Sequence, residues 1–269
     1  MPPPDASQAP DPRPAVAGSV PSLPIRFINL DRDQPRRDRL QAELARLHLA
    51  GERFPGVLWT ALPAPSQDAL YSAELNARQY HVPLVAGEKG CYASHIGVWR
   101  WLLASAYPGV VVLEDDVQLT EGFGAVCAAI AALPPDWDMI KLIGRPDGSR
   151  KHGRATSLCP GYRLVRFRRV PSRTAGYVVS RRGAEKLLAT RVPFGRPVDV
   201  DLRHWWESRH LVVWGVSPAP IEPEAASRDS SIGARVSERG WRIRWRKFRA
   251  KFAYTIANAW HGAVGGGTR

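Results

Sequence analysis

The chain predicts an α/β fold: one domain with a mainly parallel central sheet flanked by helices. Three observations carry that prediction. Short apolar, β-branched runs recur, at residues 25–30, 110–113 and 139–143. Between them lie segments whose apolar residues repeat every three or four positions, as amphipathic helices require. Strands that alternate with helices pair in parallel, because a crossover helix returns the chain to the same end of the sheet. With 269 residues and 44% hydrophobic content, the chain has core enough for one large domain.

In order, residues 1–24 are rich in Pro and Ala with little apolar bulk, and read as a disordered arm. The first strand, residues 25–30, ends in Asp31-Arg32-Asp33. A helix follows from Pro35, with Leu40, Leu44 and Leu47 at helical spacing and Gly51 as its stop. A second strand is predicted at 54–59, and Pro63 and Pro65 mark a loop. Gly87-Glu88-Lys89-Gly90-Cys91 opens a helix to Ala104, with Ile96, Trp99 and Leu103 on one face. The strand at 110–116 comes next, then a helix at 121–133 and a strand at 139–143 punctuated by Gly144. Further strands are predicted at 162–167, 176–179 and 211–216, and helices at 182–190 and 199–208. This places a catalytic domain at 25–238 and a basic amphipathic helix and tail at 239–269.

The formal charge of +13 points to a polyanionic partner: nucleic acid, an anionic membrane or a phosphorylated substrate. Three scattered cysteines without CxxC spacing argue against a disulfide framework and a zinc site, and fit a reducing, cytoplasmic setting. No signal peptide is read, and no run approaches the ~18 apolar residues of a membrane span.

The most informative segment is Val110-Val111-Val112-Leu113-Glu114-Asp115-Asp116, a buried strand closed by three carboxylates. Alternation along a strand sends Glu114 and Asp116 to one side and Asp115 to the other. Adjacent like charges need a cation or donor groups to hold them. Oxygen donors suit Mg²⁺ or Mn²⁺, and in open α/β sheets ligands collect at the carboxyl ends of strands. A solvated turn or helix cap is the ordinary role of a lone Asp pair; three acids closing a buried strand favour a site.

Five blocks then line up with one family. Ile28-Asn29-Leu30-Asp31-Arg32, followed by Arg36-Arg37, resembles the opening strand of glycosyltransferase family 25. Gly87-Glu88-Lys89-Gly90-Cys91 with Ser94-His95 and Trp99, then Val112-Leu113-Glu114-Asp115-Asp116, resemble its second and metal blocks. Residues 175–184 (Ala175-Gly176-Tyr177 onward) and Pro197-Val198-Asp199-Val200-Asp201 resemble the two downstream blocks. The resemblance implies a GT-A type nucleotide-sugar transferase. It would move a hexose, most commonly galactose from UDP-galactose, to a lipopolysaccharide or lipooligosaccharide core, with inversion. Collagen-modifying relatives share these blocks. UDP-glucose is a second donor choice, and the end block at Ser230-Ser231-Ile232 matches only loosely, leaving a late metal ligand near Asp229 open.

On that resemblance Glu114 and Asp116 are expected to hold Mn²⁺ or Mg²⁺, while Asn29, Arg32, Glu88, Ser94 and Asp115 contact the UDP-sugar. Neutralising the departing diphosphate is what such a cation supplies. Asn29 has donor and acceptor groups for a base or ribose edge, and is equally a turn former. A base must take the acceptor's proton, with Asp199, Asp201 and His95 as candidates. Either Asp can instead cap the following helix, and a lone His on an apolar helix is ordinarily structural. Glu88 has the same choice between site and helix cap.

Two basic regions remain. Residues 145–173 carry nine arginines and lysines, a solvated face or a contact for acceptor phosphates. From Arg239 onward no acid occurs, and Trp241, Trp245, Phe248, Phe252, Ile256 and Trp260 recur at three- and four-residue steps among cations. That pattern predicts a helix on an anionic membrane surface through residues 239–260, with packing of the stripe onto the domain as the competing role. The expected enzyme is therefore peripheral on the inner face of a bacterial inner membrane, with a lipid-linked oligosaccharide acceptor and no specific nucleic acid. A polyanion- or membrane-binding module on a degenerate transferase scaffold is the alternative, and a nucleotidyltransferase the third.

Overall fold

In the computed structural model the described residues are 22–143, 152–224 and 240–265. The arm at residues 1–21, Arg145, Arg150 and Lys151 of the first basic region, Asp229 with the 230–232 block, and Arg239 lie outside them.

The elements alternate as the sequence pattern requires. They are β1 (Ile25–Asn29), α1 (Gln34–Arg46), β2 (Gly51–Pro55), α2 (Ala64–Leu70), α3 (Ala73–Gln79), α4 (Ala86–Ala104), β3 (Gly109–Glu114) and β4 (Val117–Leu119). There follow α5 (Phe123–Ala131), β5 (Met139–Lys141), β6 (His152–Cys159), β7 (Tyr162–Phe167), β8 (Gly176–Ser180), α6 (Arg181–Arg191), α7 (Val198–Asp201), β9 (Val213–Ser217), β10 (Ile221–Pro223) and α8 (Trp241–Gly265). Two 3₁₀ turns, Trp59–Ala61 and Trp205–Glu207, complete the set.

Eight strands form one sheet in the order β2-β1-β3-β8-β5-β9-β7-β6. β8 and β7 are reversed and the other six run one way, so the sheet is mixed but mostly of one direction. One apolar layer lies under α4 and α6, where Tyr92, Ile96, Trp99 and Leu187 meet Val110, Val112 and Tyr177. The other lies under α1 and α5, where Leu40, Leu44, Phe123 and Ile130 meet Val111, Leu113 and Val178. The alternation of β3 therefore divides its valines between two cores, as a strand covered on both faces requires.

Several expectations are corrected. The first helix ends at Arg46, with His48 at φ 54 turning the chain, and Gly51 begins β2 instead of stopping α1. Pro63 and Pro65 flank the start of α2; proline is well placed in a first turn, where its missing N–H has no partner to lose. The helix expected at 199–208 breaks after Asp201 and resumes as a 3₁₀ turn. Much of the basic stretch is the β6–β7 hairpin.

His204 stands at that break. Burial, then the nearby Arg196 charge, pushes its imidazole down to about 4. Between that value and the ordinary 6.5 the unfolded chain binds a proton that the folded chain refuses, so stability rises with pH across the window. Acidifying through it should cost about 3 kcal/mol in total. Thermal melts from neutral pH to about pH 4.5 read this as a falling midpoint, and His204→Gln should flatten the slope.

Candidate active site

The chain leaves β1 to build β2 on one side and returns to build β3 on the other, so the order reverses between β1 and β3. A crevice opens at the carboxyl ends of such neighbours. Ile28 is paired with Glu114, and reversed β8 starts at the same end, with Gly176 opposite Leu113. A cleft of about 640 Å³ occupies that point. Asn29, Arg32, Glu88, Ser94, His95, Glu114, Asp115, Asp116 and Asp199 all line it. Of the predicted residues only Asp201 stands outside.

β3 ends at Glu114, and Asp115 and Asp116 belong to a turn. Strand alternation thus stops one residue too early to place the acids, and each goes its own way. Asp115 Oδ2 accepts from Asn29 Nδ2 at 2.7 Å, Oδ1 lies 3.4 Å from Arg36 Nη1, and the backbone oxygen accepts from Arg39 at 2.6 Å. Burial nonetheless holds its carboxyl above the usual range. Glu114 turns toward His95 of α4, and Thr174 Oγ1, just before β8, donates to its Oε1 at 2.6 Å.

His95 is fully buried behind Glu114, its Nε2 3.3 Å from Glu114 Oε1 and its Nδ1 2.9 Å from the Tyr177 hydroxyl. Trp99 Nε1, which can only donate, gives its hydrogen to that hydroxyl at 2.9 Å. An ionised carboxylate can only accept, so Nε2 presents its hydrogen to Glu114, while Nδ1 is engaged by the Tyr177 hydroxyl. Burial acts to raise Glu114, but the His95 and Thr174 hydrogen bonds and the Lys141 charge outweigh it, and the carboxyl is held below its ordinary value. Both ring nitrogens of His95 are thus engaged by protein groups, and the ring holds Glu114 in place on the cleft wall. Buried Lys141, pushed down to about 8 by desolvation, donates to the Arg173 carbonyl below the same floor.

The remaining candidates separate by what their polar atoms already do. Asn29 spends both Nδ2 hydrogens on the Asp33 carbonyl and Asp115, and its Oδ1 accepts from Arg53 at 3.0 Å. It braces the ends of β1, β2 and β3 from the cleft wall. Ser94 donates to the Gly90 carbonyl and accepts from Val57 N at 2.8 Å, tying α4 to the 56–58 loop. Glu88 accepts from Val85 N at 3.1 Å, which caps α4. Asp201 is 2% exposed and sits among Tyr92, Arg191 and Arg196, a structural position. Asp199, after Pro197, is left as the acid from that block in the cleft, and Arg32 remains a largely exposed cation at its edge.

Gly90 is what lets α4 approach. An added Cβ would meet the Val57 carbonyl oxygen at 2.5 Å. Gly90→Ala should therefore cost about 1–3 kcal/mol and shift the loop carrying Val57 to Trp59 along one cleft wall; a melt and a nucleotide titration read the two effects.

Sequence reasoning missed Thr174, Glu224 and Trp59 in the cleft lining, and Arg173, read there only within the 145–173 basic stretch as solvated face or acceptor-phosphate contact, lines it too. Arg173 and Thr174 directly precede β8, and the start of a reversed strand lies beside the carboxyl ends of its neighbours. Arg173 also holds φ 77, unusual for a side chain with a Cβ.

Among the described residues one compact trio of potential metal-ligand atoms occurs, Cys91, His95 and Glu114, within 4.8 Å of one another. This differs from the expected Glu114–Asp116 pair. The trio suits a hard cation poorly: its imidazole Nε2 carries a proton toward Glu114, and burial with the surrounding carboxylates drives the Cys91 thiol well up. The oxygens of Asp116, Asp199 and Glu224 lining the cleft are the donor type that Mg²⁺ or Mn²⁺ takes, usually one or two carboxylates completed by substrate phosphate.

Residues 23–202 match the family model described as "Glycosyltransferase family 25 (LPS biosynthesis protein)", and the chain belongs to that family. Among curated relatives, a glycosyltransferase 25 family member of Aedes aegypti is 30% identical over 74% of this chain and 35% of its own. Human procollagen galactosyltransferase 2 is 28% identical over 74% of this chain and 34% of its own. A human relative named "Inactive glycosyltransferase 25 family member 3" is 29% identical over 76% of this chain and 37% of its own. The chain thus spans little more than a third of these relatives, and membership alone does not separate active from inactive members.

Proposed function

We propose that the cleft binds a UDP-hexose and transfers the sugar to an oligosaccharide hydroxyl with inversion, in the manner of a GT-A type transferase. The observation that carries this reading is the meeting of carboxylates and arginines at the β1/β3 reversal: Asp116 and Asp199 share one cleft with Arg32, Arg36 and Arg173. A diphosphate needs its charge neutralised both to bind and to leave, and arginine does this through paired donors. Asp199 takes the acceptor's proton as the new bond forms, while the anomeric carbon–oxygen bond to the diphosphate breaks. Glu114, fixed by His95 and Thr174, supplies negative charge beside the anomeric centre, where positive character develops. A divalent cation held by Asp116, with Glu224 available beside it, would add charge neutralisation at the diphosphate.

Galactose is the sugar we propose, supported by the names of the procollagen galactosyltransferases, with UDP-galactose as donor. The acceptor we propose is a lipid-linked lipopolysaccharide-type oligosaccharide, supported by the family description. A thermal-shift screen of UDP-sugars with and without Mn²⁺ tests donor and metal together. Binding to the folded state raises the midpoint, by about 2.7 kcal/mol of added stability at a hundred-fold excess over Kd. UDP-galactose with Mn²⁺ should stabilise most; equal response to every nucleotide, or none, refutes the assignment.

A further inference from the structure

We propose that α8 is a docking surface for an anionic lipid bilayer, held against the body by one face so that its aromatic stripe points outward. This rests on the helix alone and stands or falls apart from the transfer reading.

Trp241, Trp245, Phe248, Phe252, Ile256 and Trp260 are each 54% to 73% exposed. At 3.6 residues per turn they fall along one side of the helix. Packing of this stripe onto the domain is excluded by how α8 is attached. Tyr254, on the opposite side, is 6% exposed and sits under the Arg169 and Arg203 guanidinium groups. His261 stacks on Trp206 with ring centroids 5.6 Å apart. Arg246 donates to the Ala77 and Tyr80 carbonyls at 2.6 and 2.8 Å, and Asn258 donates to the Arg168 carbonyl at 2.9 Å. Polar bonds and rings thus fasten the back of the helix to α3, to the chain after β7 and to the Trp205–Glu207 turn, leaving the apolar side uncovered.

Charge selects the occupant. Arg242 and Arg249 border the stripe on one side and Arg244 and Lys251 on the other, all exposed, and residues 241–265 contain no acid. A second copy would bring these cations face to face, which like charges oppose. Headgroup phosphates meet the cations while the rings enter the headgroup–acyl boundary, a match to both halves of the pattern. The helix lies on the surface rather than through it: no described helix is long and apolar enough to cross a membrane.

Flotation of the full chain with vesicles of phosphatidylcholine plus phosphatidylglycerol tests this, with phosphatidylcholine alone as control. The chain should float with the anionic vesicles and be released by high salt. The triple variant Trp245→Ser, Phe248→Ser, Phe252→Ser should partition at least about tenfold less, with an unchanged melting midpoint because all three side chains are exposed. Failure of the parent chain to float, or flotation undiminished in the folded triple variant, overturns the proposal. So does stripe-dependent self-association, or stripe-dependent retention on single-stranded RNA, without vesicle binding.

Discussion

Asp116→Ala should lower sugar transfer on the order of 10³-fold, the scale on which preorganised charge at a departing group acts. The chain should stay folded, because Asp116 lies in the β3–β4 turn and not in either apolar core. Its cost is expected in turnover and in the Mn²⁺ response of nucleotide binding, not in the melt. Asp116→Asn separates charge from shape: the amide keeps the size and loses the charge, so the two variants should be about equally impaired. A variant retaining the parent's turnover and metal response would remove Asp116 from the site. Asp115→Asn should behave differently, since Asp115 braces Asn29 and Arg36; its loss acts through the shape of the β1 end.

The second large effect is on stability. Asp201→Ala takes the carboxylate from a buried cluster. Tyr92 Oη donates to Oδ2 at 2.6 Å, Arg191 Nη1 lies 3.2 Å from Oδ1, and Arg196 Nε lies 3.0 Å away, close in distance though poorly aligned for a hydrogen bond. Glu207 bridges the same two arginines from the 3₁₀ turn. Removing one member of a buried ion cluster leaves uncompensated charge and costs about 3–5 kcal/mol. For a domain of this size that is a drop of roughly 6–20 °C in the melting midpoint. Denaturant melts measure it directly. A loss of activity in Asp201→Ala with an unchanged melt would contradict the structural role and return it to the list of bases. Asp199→Asn should show the reverse: little change in stability and a severe loss of turnover.

That contrast shows where the sequence stops being readable. Asp199 and Asp201 are two residues apart in one motif, and a helix cap, a base and a buried ion pair all use the same side chain. Their roles diverge because Tyr92 arrives from α4 and Arg191 from α6, over separations the local pattern does not encode, to join Arg196 of the loop before Pro197. The end of β3 was legible as a site, since an apolar run closing on three acids has few other uses. The direction of each acid was not, because alternation ends with the strand at Glu114. Asn29 and Ser94 were found as cleft residues, yet their hydrogen bonds are internal, which only the assembled neighbours determine. Local pattern gave β1, α4, β7 and β8 nearly to their ends. It missed α2, where proline in a first turn imitates a loop, the two-turn α3, and β6, where a basic stretch reads as a solvated face. The outward stripe of α8 was visible as a stripe; which side is fastened depends on Tyr254 and His261 finding Trp206.

Binding of a UDP-hexose with a divalent ion at the β1/β3 reversal is the claim on which the functional account depends. A crystal grown with Mn²⁺ and UDP-galactose, measured at a wavelength where manganese scatters anomalously, tests it most directly. The account predicts one manganese peak beside Asp116, in contact with the diphosphate, and the galactose facing Asp199. A peak held instead by Cys91, His95 and Glu114, or nucleotide bound away from the cleft, would contradict it.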